Sequence, residues 1–141
     1  MKTLAVFLPL LVSALASFGQ CDQEVKITTS KTEYLDNTGA VQRSVDEQST
    51  IEIGKTEIKI WPGNADRVMT GKIESNTCAW SVPYKEGRTV MKAVFSEDAG
   101  QQLHATITLE GKAEKITFQM EVQERPDRVI RVSVTTFEAK K

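Results

Sequence analysis

The stretch HATITLEGKAEKITFQMEV, His104–Val122, decides the fold. Leu103, Ala105, Ile107 and Leu109 alternate with His104, Thr106, Thr108 and Glu110. Beyond Gly111-Lys112, Ile116, Phe118, Met120 and Val122 alternate with Thr117, Gln119 and Glu121. A period of two is that of a half-buried strand, not of a helix. Glycine first in a two-residue link suits a type II′ hairpin turn. A turn at Gly111-Lys112 sets Ile107 opposite Ile116, Ala105 opposite Phe118 and Leu103 opposite Met120. Both apolar sets then share one face, whereas a slip of one residue would separate them.

The same grammar runs through the chain. Val25 and Ile27, Ile51 and Ile53, Ile58 and Ile60, and Ile130, Val132 and Val134 alternate with polar neighbours. Gly54-Lys55 reads as a second two-residue turn, setting Ile51 against Ile58. Asp36–Gly39, Pro62-Gly63-Asn64, Lys85-Glu86-Gly87 and Glu97–Gly100 read as further turns, and Pro126-Asp127 suits the centre of a type I turn. The segment 40–48 is the least patterned and reads as a loop. No stretch after residue 24 carries an amphipathic helix. About nine strands joined by short links imply an all-β antiparallel up-and-down meander. Its apolar face must be covered, so the sheet closes as a barrel or, alternatively, folds over as a sandwich. Short links that join neighbours favour the barrel. The expected inward set is Ile58, Ile60, Met91, Phe95, Leu103, Ile107, Ile116, Phe118, Met120, Ile130 and Val132. Trp80, in phase with Cys78 and Val82, is expected in the core.

The N-terminus speaks to compartment. Lys2 precedes an apolar run, Leu4–Ala16, interrupted only by Ser13 and followed by small residues. This is the pattern of a secretory signal peptide, similar to those of some Gram-negative bacteria, and it is too short to span a bilayer. Ser17 and Gly19 place cleavage between Gly19 and Gln20; a cut after Ala16 is the alternative. Residues 1–19 are then the signal peptide and 20–141 one all-β domain, periplasmic or extracellular. Cys21 makes a poor lipoprotein cysteine, since Gln20 and Phe18 hold the positions where a small and an aliphatic residue are needed. The mature chain contains no further stretch long enough to cross a membrane as a helix.

Two cysteines, Cys21 and Cys78, read as one disulfide in an oxidising compartment. The competing reading is a buried free Cys78 beside Trp80 with a loose Cys21. Two cysteines and a single histidine make no zinc ligand set, so neither metal nor other cofactor is expected. Lys and Arg number 18 against 19 Asp and Glu, with no long run of one sign, so no nucleic-acid partner is expected.

Catalytic signatures are scarce. The chain has no Gly-x-Ser-x-Gly elbow, phosphate loop, His-Glu-x-x-His or calcium loop. His104 falls on the polar face of its strand, opposite Gln119 with Glu121 on the diagonal, and Glu110 is about 20 Å along the strand. It reads as a surface residue, and no catalytic residue is assigned. Trp61, at a strand end before Pro62, either caps the barrel or stands exposed. Tyr84 follows Pro83 at a turn. Together Trp61 and Tyr84 are the candidate rim of a ligand opening, because both side chains suit half-wet positions.

The meander resembles that of calycin-type carriers (lipocalins and fatty-acid-binding proteins), but no Gly-x-Trp signature opens the first strand. The immunoglobulin pattern is absent as well, since Trp80 follows the second cysteine rather than lying between the two. Two functions compete. One is a non-catalytic binding or interaction module with a protein partner; the other is a calycin-like carrier of a small apolar ligand. Large inward residues fill a small barrel rather than hollow it, which favours the first.

Overall fold

A computed structural model describes residues 20–63, 66–97 and 100–140. Residues 1–19, 64–65, 98–99 and 141 lie outside these, and with them the expected signal peptide and parts of two expected turns. After a short 3-10 turn, Gln20–Asp22, the chain forms β1 (Val25–Leu35), β2 (Val41–Asp46), β3 (Thr50–Ile53), β4 (Glu57–Trp61), β5 (Met69–Val82), β6 (Glu86–Ser96), β7 (Gln102–Lys112), β8 (Lys115–Val122) and β9 (Val129–Ala139). All pairings are antiparallel and join sequence neighbours, except that β1 also pairs with β3 and with β9. The β1–β9 pairing closes an eight-stranded barrel, so the meander is a barrel and not a sandwich.

β2 is the extra strand. The first half of β1, Val25–Thr28, pairs with β3, and the second half, Lys31–Leu35, pairs with β2 on the same edge. The segment expected to be a loop is therefore partly a strand. The residues of β2 are exposed apart from half-buried Val45, so it lacks the one-sided burial that makes a strand legible. The joint between β2 and β3 is pinned by Thr29, which donates its backbone N–H to Ser49 O (3.0 Å) and accepts Ser49 N–H on Oγ1 (3.1 Å).

The interior is filled. Ile27, Ile58 and Ile107 have no exposed surface, Met91 has 1 %, and Ile51, Leu109 and Phe118 have 2 %. Each such side chain contributes about 1.5–3 kcal/mol by leaving water. The expected inward residues are buried, except that Ile116 and Ile130 are half-buried against the core. Phe95 lies on Gly71, where a Cβ would stand 2.8 Å from its ring.

Both expected hairpin registers are displaced. In β7–β8, Ile107 faces Met120, Leu109 faces Phe118 and Ala105 faces Val122. The turn is Ala113-Glu114, both with positive φ (51° and 66°), as in a type I′ turn. Gly111 is instead a point of close approach: a Cβ there would meet Lys85 O at 2.4 Å and the Trp80 ring at 2.8 Å. In β3–β4 the turn is Lys55-Thr56, so Ile51 faces Ile60 and Ile53 faces Ile58. The next hairpin also turns earlier than expected. Lys85 N–H bonds Val82 O (3.1 Å), which centres the turn on Pro83-Tyr84 and leaves Gly87 inside β6. The Asp36–Gly39 turn forms as read, with Gly39 N–H on Asp36 O (3.1 Å), and Arg128 N–H on Arg125 O (3.1 Å) closes the turn around Pro126-Asp127.

Candidate functional site

The lower end of the barrel is built around β5. Only Met69–Lys72 of this long strand pair with β4; from Ser75 to Val82 its strand partner is β6. The N-terminal segment lies beside the lower half and is fixed there by the Cys21–Cys78 disulfide, with the Cα atoms 5.8 Å apart. Thr89, 6 % exposed, donates to Cys78 Sγ (3.3 Å) and accepts from Trp80 Nε1 (2.8 Å). Trp80 is half-buried rather than central. A bulge separates it from Val82, which is 41 % exposed. Trp80 and Tyr84 both meet Phe137 edge-on, at 5.5 and 5.0 Å between ring centres. Tyr84 Oη also donates to Gln23 Oε1 (3.2 Å), and partial burial raises its pKa above the usual phenol value. The aromatic trio thus shuts the lower end with side chains where the hydrogen-bonded wall runs out.

Trp61 is not part of this group. Ile60 pairs with Met69 at the start of β5, whereas Tyr84 follows Val82 at its end. That is roughly 40 Å along the strand. Trp61 pairs with Thr50, out of phase with the inward Ile58 and Ile60, and so belongs to the outer face. The two residues named as a common rim stand at opposite ends of the molecule.

Recesses occur at the ends and on the outside. An upper one of about 600 Å³ has nearly buried Phe95 and Leu103 beneath exposed Val68 and Met69, with Arg67 and Glu97 at its margin. A lower one of about 240 Å³ lies under the disulfide, against Val25, Ile53, Thr89 and Met91. A third, about 460 Å³, separates the β1–β2 ribbon from the β8–β9 loop and holds Tyr34, Gln42, Arg43, Asp127 and Arg128. None of the three is lined by Ile27, Ile58, Ile107 or Phe118, the residues of the barrel centre.

His104 is exposed on the outer face, and the displaced register changes its neighbours. Its carbonyl accepts Gln123 N–H (2.8 Å). Glu124 Oε2 accepts its backbone N–H (2.9 Å), and Glu124 Oε1 meets its Nδ1 at 2.5 Å. These hydrogen bonds, the imidazole first and the amide second, hold the Glu124 pKa below the ordinary glutamate range. A carboxylate engaged by a single residue on both oxygens works as a clasp on the β8–β9 loop. Arg125 reinforces it from the same loop by pairing with Glu97 (3.1 Å). No group of three or more histidine, cysteine or acidic side chains able to hold a metal occurs among the described residues.

At the far end of β1, Asp36 organises the turn into β2. Its Oδ1 accepts Thr38 N–H (2.9 Å), Thr38 Oγ1 (2.6 Å) and Ala40 N–H (3.0 Å), and its Oδ2 accepts Gln42 Nε2 (3.0 Å). Thr38 first, then the backbone amides, lower its pKa. Next to it the Arg43 guanidinium lies 4.4 Å above the Tyr34 ring, a cation–π contact across the β1–β2 pair. The chain matches no protein-family model, no curated protein and no solved structure. Among the described residues no helix is long and apolar enough to cross a membrane.

Proposed function

We propose that this protein is an exported, non-catalytic interaction module, a β-barrel that offers its outer surface to a protein partner. The observation that carries the reading is the filled interior. Aliphatic and aromatic side chains from β1, β3, β4, β6, β7 and β8 meet at its centre with 0–2 % exposure. An eight-stranded barrel has room either for such side chains or for one small ligand. The cysteine pairing supports export, since structural disulfides persist in oxidising compartments such as the periplasm or the extracellular space. Cleavage before Gln20 would leave Cys21 next to the new N-terminus, where the bond pins it to the barrel.

Organic extraction of the purified mature protein, followed by mass spectrometry, tests the reading. The expected result is an empty extract and no fluorescence change with an apolar probe. A stoichiometric lipid or pigment would overturn it in favour of the calycin-like carrier.

A further inference from the structure

Arg88, Arg125 and Arg131 each pair with a glutamate, Glu110, Glu97 and Glu33 in turn. Arg43 and Arg128 make no ion pair among the described residues, and both line one recess, that of about 460 Å³ between the β1–β2 ribbon and the β8–β9 loop. We propose that this recess binds an acidic peptide segment of a protein partner, an aspartate or glutamate carboxylate of that segment accepting from the two guanidiniums. The proposal rests on the interaction-module reading and names the surface and the chemistry of the partner.

Both arginines are placed by the fold and keep their donors. Arg43 stands opposite Tyr34 in the β1–β2 ladder, where paired residues share a face, and its guanidinium lies 4.4 Å above the Tyr34 ring. That contact holds the cation through its charge and uses none of its five N–H donors. Arg128 closes the turn around Pro126-Asp127 with its backbone N–H on Arg125 O (3.1 Å), which fixes where its side chain leaves the loop. Both residues are exposed, above Tyr34 and buried Leu35. A guanidinium matches a carboxylate with two parallel hydrogen bonds, which gives direction as well as attraction. A recess of this volume is in the range of ligand clefts.

Two acids border the same recess and decide what kind of anion it admits. Asp36 is occupied by Thr38, Ala40 and Gln42, which take both of its oxygens, so it does not draw Arg43 away. Asp127 makes no side-chain hydrogen bond or ion pair among the described residues. Its charge sits beside the arginines and leaves the lining neutral, two cations against two carboxylates. Such a lining exerts no long-range pull on a nucleic acid or an anionic lipid surface, and the whole chain, with 18 Lys and Arg against 19 Asp and Glu, adds none. It suits a single carboxylate held at close range, with Asp127 accepting from an amide or other donor of the same segment.

Selection of a displayed random peptide library against the full mature chain tests the assignment. The expected result is a set of enriched peptides that share an aspartate or glutamate. Synthesised with a fluorophore, each should bind by anisotropy, and its amide counterpart, asparagine or glutamine in place of the acid, should bind about tenfold more weakly. Arg43→Gln and Arg128→Gln should each cost about tenfold, whereas Arg88→Gln, which removes an exposed arginine outside the recess, should change the affinity by less than about twofold. Circular dichroism checks that each variant keeps its fold. Arg43→Lys is the milder companion, keeping the charge and losing the planar fork, and should still weaken binding. No enriched peptide, peptides without a shared acid, or affinities indifferent to both Arg43→Gln and Arg128→Gln would each overturn the site. Enrichment of long acidic runs whose binding collapses with salt would assign a polyanion instead, and competition by inorganic phosphate below about 1 mM would assign a phosphate; either overturns the single carboxylate. None of these results bears on the filled interior, whose reading stands or falls on the extraction.

Discussion

Gly111 and Trp80 show how much a single position can carry. The Trp80 ring lies over both Gly87 and Gly111: a Cβ on Gly87 would stand 2.4 Å from the Trp80 Cα, and one on Gly111 would stand 2.8 Å from its ring. Gly111→Ala should therefore cost about 1–3 kcal/mol by overpacking, read as a lower urea midpoint with an unchanged slope. The Gly111 site was legible only as a glycine. Its sequence neighbours fit a turn, and nothing in them reveals the distant indole it makes room for. Glu124 offers a second test. Its pKa is lower folded than unfolded, so its share of stability is present above the ordinary glutamate range and is lost as pH falls through the folded value. His104→Ala removes the largest cause, so an NMR titration should show the Glu124 pKa rise toward the ordinary range, with the pH dependence of stability shrinking in that same acidic window.

Among elements, the alternation determined which side of each strand faces inward and left open which residues pair. Sliding a two-residue turn by one position moves the pairing by two residues and keeps every side chain on its face. The β7–β8 turn lies two positions beyond the expected one and the β3–β4 turn one, and in both the inward sets survive. Leu109, which had no apolar partner in the expected register, faces Phe118 in the observed one. That local mismatch was one available sign of displacement; Ile53, which the expected β3–β4 register set opposite Thr56, was another. β2 was illegible for another reason, since a strand wet on both faces has no apolar side to repeat. The Ala113-Glu114 turn yields a prediction of its own. Both residues sit at positive φ, where residues with a Cβ are strained and the pair Asn-Gly is preferred. Replacing Ala113→Asn and Glu114→Gly together should stabilise the protein by about 1 kcal/mol, measured as a higher midpoint of chemical unfolding.

For the whole molecule, closure is achieved in two ways. Most of the wall closes by hydrogen bonds, with β1 paired to β9 along its length and to β3 from Val25 to Thr28. In the lower tier β5 outruns β4, and the gap is held by the Cys21–Cys78 disulfide together with the Trp80, Tyr84 and Phe137 rings. The cysteine pairing was readable from number and the expected oxidising compartment. The separation of Trp61 from Tyr84 was not, because only the unbroken length of β5 sends them to opposite ends. The bond spans 57 residues, so its loss frees a long loop in the unfolded chain and should cost about 2–4 kcal/mol. Replacing Cys21→Ser and Cys78→Ser together should lower stability by that amount. It should also act locally, because the N-terminal segment is then tethered to the lower end mainly through Gln23 and Tyr84. Hydrogen exchange should accelerate in Ser75–Val82, whose strand partner is β6 alone, while Ile58, Ile107 and Phe118 keep the protection of the filled centre. Uniform acceleration along all nine strands would mean that the bond supports the barrel as a unit and not its lower tier.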